Sequence, residues 1–138
     1  MKLVILETPY AGDTLKNLQY ARLCMRDCLI NHNESPFASH VLFTAEGVLD
    51  DTKPAERNIG IAAGFYWGAH ATKTVVYTDR GISEGMKKGI EDASHAKRTI
   101  EFRTLNGYKE TFTPYDTKQN ECRKCNRMPC RCVWIDTQ

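Results

Sequence analysis

The stretch Lys73 to Ala93, KTVVYTDRGISEGMKKGIEDA, limits the choice of fold more than any other part of the chain. Thr74 to Tyr77 is a short β-branched apolar run of the kind that buried parallel strands use. Asp79-Arg80-Gly81 breaks it, and a helical pattern begins after Ser83. The pattern predicts a strand, a tight turn and a helix. Ser83 is a natural N-cap, and Glu84 follows where the positive end of the helix dipole favours an acid. Gly81, Gly85 and Gly89 recur every four residues, so Gly85 and Gly89 share one helix face. Such a helix start offers bare amides and little bulk, which suits an anion; the other use of these glycines is close packing of the helix on a sheet.

The remaining segments extend this unit. Leu3 to Leu6 reads as a buried first strand, followed by a loop from Thr8 to Asp13. Leu15 to Ile30 places Leu15, Leu18, Ala21, Leu23, Met25, Cys28 and Leu29 mostly along one side of a helix, capped by Asp13 or Thr14 and ended by Asn31-His32-Asn33. Pro36 to Thr44 (PFASHVLFT) is expected as a second strand, with Pro36 at its start or on an edge. Pro54 fits the first turn of a helix running to about Ala71, preceded by Asp51 or Thr52. That helix is apolar nearly all round, so it is expected to be buried or to form half of a dimer interface. Arg98 to Leu105 alternates as a last, more exposed strand. Strands joined through helices lie parallel, and right-handed crossovers then give an α/β, doubly wound, three-layer sheet of Rossmann-like, flavodoxin-like type. The domain is expected to cover residues 1–105, with 106–138 as a polar linker and cysteine-rich appendage.

At 138 residues the chain forms one domain with a sizeable core. Its net charge of +2, without a polybasic run, does not advertise nucleic-acid binding. Only four consecutive apolar residues precede Glu7, too few for a signal-peptide core, and no run approaches a membrane span, so a cytoplasmic protein is expected. The six cysteines fit intracellular thiols better than a disulfide framework. Cys24 and Cys28 lie four apart on a helix and read as buried packing residues. Cys122-x2-Cys125-x4-Cys130-x-Cys132 offers four thiolates in eleven residues, with Pro129 to bend the chain; structural zinc is the expectation, surface thiols or a labile disulfide the alternative. Arg123, Lys124, Arg127, Arg131 and Trp134 surround the cluster, where a phosphate backbone or a protein partner would meet them.

In an open parallel sheet, ligands bind beyond the carboxyl ends of the strands, where neighbouring crossovers diverge. This brings Glu7, Tyr10, Gly12 and Asp13 together with Asp79, Gly81, Ser83, Glu84, Gly85 and Met86, while His40 and Ser39 come from the end of the second strand. Asp50, Asp51, Glu56 and Arg57 arrive before the central strand, and plain helix capping is the competing use of those acids. Carboxylates in one pocket can divide labour: one stays ionised to hold a sugar hydroxyl or to attack, and one has its pKa raised to protonate a leaving base. Glu84 and Glu7 are the candidates; for Glu84 the alternative is a helix-dipole partner in solvent, and for His40 a satisfied strand-end histidine. Tyr10 is the best candidate to stack a base.

Taken together, VILETPYAG, PFASHVLFT, ERNIGIAAGFYWGAHATKTVVYTD and GISEGMKKGIEDA resemble the nucleoside 2-deoxyribosyltransferase-like superfamily over about residues 1–105. Within it, the likeness is to small uncharacterised domains found in bacterial and phage genomes. The resemblance implies a Rossmann-like sheet, self-association, and handling of nucleosides or nucleotides at the N-glycosidic bond by a transferase or N-glycosidase. A non-catalytic module that sequesters or senses a nucleotide is the alternative. In catalytic members a glutamate attacks the anomeric carbon while an aspartate and a tyrosine assist, for which Asp79 and Tyr10 are the matching positions here. Setting Ala93 on the alanine of the family's ELGxA helix places the nucleophile position at Gly89, with Glu84 more than one turn earlier.

Overall fold

The structure, a computed structural model, describes residues 1–108. The cysteines of the expected zinc cluster, Cys122, Cys125, Cys130 and Cys132, lie outside the described residues.

The described residues form a mixed α/β unit with four strands, all parallel, in the order β2-β1-β3-β4. In chain order the elements are β1 (Lys2–Glu7), α1 (Thr14–Asn31), β2 (Glu34–Phe37), α2 (Ser39–Leu42), α3 (Pro54–Gly68), β3 (Lys73–Tyr77), α4 (Glu84–His95) and β4 (Thr99–Arg103). The central strand is the expected one: Thr74, Val75, Val76 and Tyr77 are all buried. Register places Val4 beside Lys73 and Glu7 beside Val76, and side chains alternate from there. Val4, Leu6, Val75 and Tyr77 point to one face and meet Tyr20, Cys24 and Cys28 of α1, which form the main core. Ile5 and Glu7 point to the other face, the side on which α4 lies over Glu7.

Helix α1 begins where expected, with the Asp13 carboxylate accepting the Lys16 N–H at 3.2 Å. Its buried face, however, runs through Asn17, Tyr20, Ala21, Cys24 and Cys28, while Leu15 and Leu29 are exposed. Polar anchors set this rotation. Asn17 donates to the carbonyls of Tyr10 and Ala11, and Tyr20 OH donates to Asp79. Cys24 and Cys28 are buried free thiols, as their spacing suggested, and burial pushes both thiol pKa values up.

Three expectations need correction. The second strand is not Pro36–Thr44 but Glu34–Phe37, and Ser39–Leu42 turns into a short helix whose Leu42 and Phe43 N–H groups return to the Ala38 and Ser39 carbonyls. Pro36 stands within β2, on the outer side of β1, where a missing N–H costs no ladder bond to a further strand. Helix α3 ends at Gly68 rather than Ala71; its N-cap position is Lys53 and no side chain caps it. It is also not a buried helix, since Gly68 is its one buried residue and Ile59, Tyr66 and Trp67 are more than half exposed. The compact unit runs from Met1 to Tyr108, whose ring packs on Tyr20 with centroids 4.9 Å apart.

Candidate functional site

β1 lies between β2 and β3, and its last residue, Glu7, ends where α1 departs to one face and α4 covers the other. Parallel sheets open a crevice at such a point. Ser83 starts α4 as the N-cap: its hydroxyl accepts the Met86 N–H at 3.3 Å, and its own N–H points to the Met86 sulfur at the same distance. Met86, Gly89 and Ala93 then form the buried face of the helix. The spacing i, i+3, i+7 lays that face on the sheet directly over Glu7.

The Glu7 carboxyl fills the space left by the missing side chain of Gly89. A Cβ at residue 89 would overlap its carboxyl carbon and both oxygens. Burial raises the Glu7 pKa to about 8; the nearby Arg98 charge opposes the rise and Asp92 adds to it. At neutral pH the group is therefore mainly protonated, the state in which a carboxylic acid can donate a proton. Arg98 organises the floor beneath it. This nearly inaccessible guanidinium donates to the Thr74 hydroxyl, the Gly68 carbonyl and the Asp92 carboxylate, each at 2.9 Å, and so ties β3, the end of α3 and α4 together.

These groups line a cavity of about 110 Å³, partly open to solvent, with residues of α2, α3 and α4 around it. That is room for several waters or a small ring, given roughly 10–15 Å³ per water. Its apolar wall includes Ile5, Phe37, Phe43 and Phe65, and Trp67 stacks on Phe37 with centroids 5.2 Å apart. On the α2 side, the Thr8 hydroxyl and His40 Nε2 lie 2.5 Å apart, and burial lowers the His40 pKa to about 4, so the imidazole is neutral. Ser39 is pressed against α3, where a Cβ on Gly64 would fall 2.8 Å from its Cβ and Oγ.

Of the residues singled out from sequence, Glu7, Tyr10, Ser39, His40, Asp51, Glu56, Arg57, Ser83, Gly85 and Met86 line this cavity. Glu84 does not. Its side chain is 83% exposed and accepts from Lys87 Nζ at 2.9 Å, an interaction that holds its pKa below the usual range. Asp79 is occupied elsewhere, accepting from Tyr20 OH at 2.5 Å and from the Leu105 N–H at 3.0 Å. Gly12 and Gly81 have positive φ, 96° and 81°, with open space around them, and so serve turns. Asp13 caps α1, and Asp50 closes a local turn by accepting from the Thr52 N–H and hydroxyl. Sequence reasoning passed over Arg98, Asp92, Lys88, Thr8 and Phe37, which also line the cavity. Arg98 stands at the opposite end of the sheet from the carboxyl ends, and nothing local in sequence marks its reach.

Among the described residues no three His, Cys, Asp or Glu side chains converge as a metal site, and no helix is long and apolar enough to cross a membrane. No curated protein and no solved structure matches this chain. Residues 2–103 match the family model described as Domain of unknown function (DUF7768), and the chain belongs to that family.

Proposed function

We propose that this chain is a Rossmann-like, flavodoxin-like domain that acts on the N-glycosidic bond of a nucleoside or nucleotide, with Glu7 as the acid. One observation carries the proposal: a carboxyl with a pKa of about 8 projects from the end of an interior strand into an open cavity, in the space of a helical glycine. Gly89 is the position where the resemblance puts the nucleophilic glutamate, and the Glu7 carboxyl reaches the same place from β1. A protonated carboxyl is a poor nucleophile and a good acid.

The reaction that suits it is hydrolysis. As the bond from the anomeric carbon to the base breaks, its electron pair leaves with the base, whose nitrogen takes the Glu7 proton. Water adds its oxygen to the anomeric carbon and gives a proton to the Glu7 carboxylate, which restores the acid. The Arg98 charge, which already opposes the rise in Glu7 pKa, stabilises that transient carboxylate. Tyr10 at the cavity wall offers a face to the base. Self-association, which the resemblance implies, has support in the exposed Ile59, Tyr66 and Trp67 of α3.

The test is incubation with a panel of nucleosides and nucleotides, following free base and melting temperature together. Release of base by the wild type, reduced about 10²–10⁴-fold in Glu7→Gln with binding retained, is the expected outcome. A thermal shift without release of base from any substrate would instead favour the binding module, because a bound ligand stabilises the fold whether or not it is cleaved.

A further inference from the structure

Two cationic side chains at the cavity take no part in the chemistry above. Arg57, in the first turn of α3, and Lys88, in the second turn of α4, both line it. The Arg57 guanidinium reaches across to α4, with Nη2 3.8 Å from the place a Cβ would take on Gly85. The neighbouring cations differ from it. Arg98 is fully committed to Thr74, Gly68 and Asp92, and Lys87 and Lys53 pair with Glu84 and Glu56. Among the described residues the Arg57 side chain has no ion pair and no hydrogen bond; its backbone N–H donates to the Lys53 carbonyl at 2.9 Å.

We infer that Arg57, assisted by Lys88, receives the phosphate of a phosphorylated nucleoside, so that the substrate is a nucleoside monophosphate rather than a free nucleoside. This rests on the glycosidic reading of the same cavity. A partly buried guanidinium presents a planar fork to two phosphate oxygens, and the small Gly85 keeps the approach open. Asp51 lines the same cavity, which is therefore not a uniformly positive patch. A bare anion gains little in such a setting. A ligand with one phosphate ester and sugar hydroxyls offers a partner to each charge, and its glycosidic end then lies inward toward Glu7.

The experiment titrates the full chain with a nucleoside, its 5′-monophosphate, ribose 5-phosphate and inorganic phosphate, measuring Kd by calorimetry and free base separately, for wild type, Arg57→Gln and Arg57→Lys. The monophosphate is expected to bind at least about tenfold tighter than the nucleoside. Arg57→Gln removes that difference without altering the melting temperature of the free protein or nucleoside affinity, and Arg57→Lys restores part of it. Equal binding of nucleoside and monophosphate, or a difference that survives Arg57→Gln, overturns the inference. Inorganic phosphate or ribose 5-phosphate binding as tightly as the monophosphate overturns the assignment to a nucleotide. Base released equally from nucleoside and monophosphate refutes this inference and leaves the glycosidic reading standing. Arg57-dependent monophosphate binding with no base released from any compound does the reverse.

Discussion

Glu7 and Gly89 form a matched pair, a carboxyl and the absence that admits it. Replacing Gly89 with Ala suits a helix better by roughly 1 kcal/mol, but the new methyl must expel the carboxyl. Because the clash is with the far end of a flexible side chain, Gly89→Ala is expected to fold normally and to lose base release to nearly the extent of Glu7→Gln; the melting curve and the rate together check this. Glu7 also sets a pH signature. Its folded pKa of about 8 exceeds its ordinary 4.5, so the folded chain keeps a proton the unfolded chain has lost, and stability falls as pH rises through that window. His40 acts oppositely: its folded pKa is about 4 against 6.5, so stability rises with pH between those values. The two offset each other below pH 6.5, and above it Glu7 acts alone. Urea midpoints of the wild type are expected to fall between pH 6.5 and 8, and those of Glu7→Gln to stay level. Glu7 was a candidate from sequence because it follows an apolar strand. The choice between Glu7 and Glu84 was not legible, since both follow the same rule of position and only burial separates them.

At the scale of elements, the sheet is held on its α1 face by a charged cluster as well as by apolar packing. Glu34, only 2% exposed, accepts from Arg103 Nη1 and Nη2 at 2.7 Å each and pairs with Lys73 Nζ at 2.7 Å, which links β2, β3 and β4 across β1. Burial by itself would raise the Glu34 pKa, but the hydrogen bonds from Arg103 and Lys73 bring it down to about 2. Its contribution is therefore present above pH 4.5 and lost as pH falls toward 2. Arg103→Met alone leaves Glu34 short of its main partner and is expected to cost about 3 kcal/mol, measured by urea unfolding at pH 7. The Arg103→Met/Glu34→Leu double variant is expected to recover much of that loss. Sequence periodicity found the strands that have helices between them, but it extended the second strand into PFASHVLFT. A short apolar run with one Pro fits a strand and a half-buried helical turn equally well, and the backbone hydrogen bonds of residues 38–43 decided for the turn.

For the whole molecule, the compact unit ends at Tyr108 although the family match ends at residue 103. Leu105 and Tyr108 pack on the core, and the Leu105 N–H reaches Asp79. A chain ended after Tyr108 is expected to keep the melting temperature of the core, whereas one ended after Arg103 loses the Tyr20–Tyr108 contact and melts several degrees lower, as a thermal scan would register. We further propose that the full chain, through Cys122, Cys125, Cys130 and Cys132, binds one zinc ion that the chain ended at Tyr108 does not; metal analysis of the two purified proteins decides it. By itself the sequence determined the strands Leu3–Leu6 and Thr74–Tyr77, a helix start at Asp13 or Thr14 and another at Ser83, and their alternation, because alternation, capping and turn chemistry are local. Only the tertiary structure decided that Glu7 lies under Gly89, that Arg98 crosses from the far end of the sheet to Asp92, and that Asp79 and Glu84 stand aside. Those outcomes depend on which face each strand turns to its helix and on the desolvation that follows, and no stretch of sequence carries either alone.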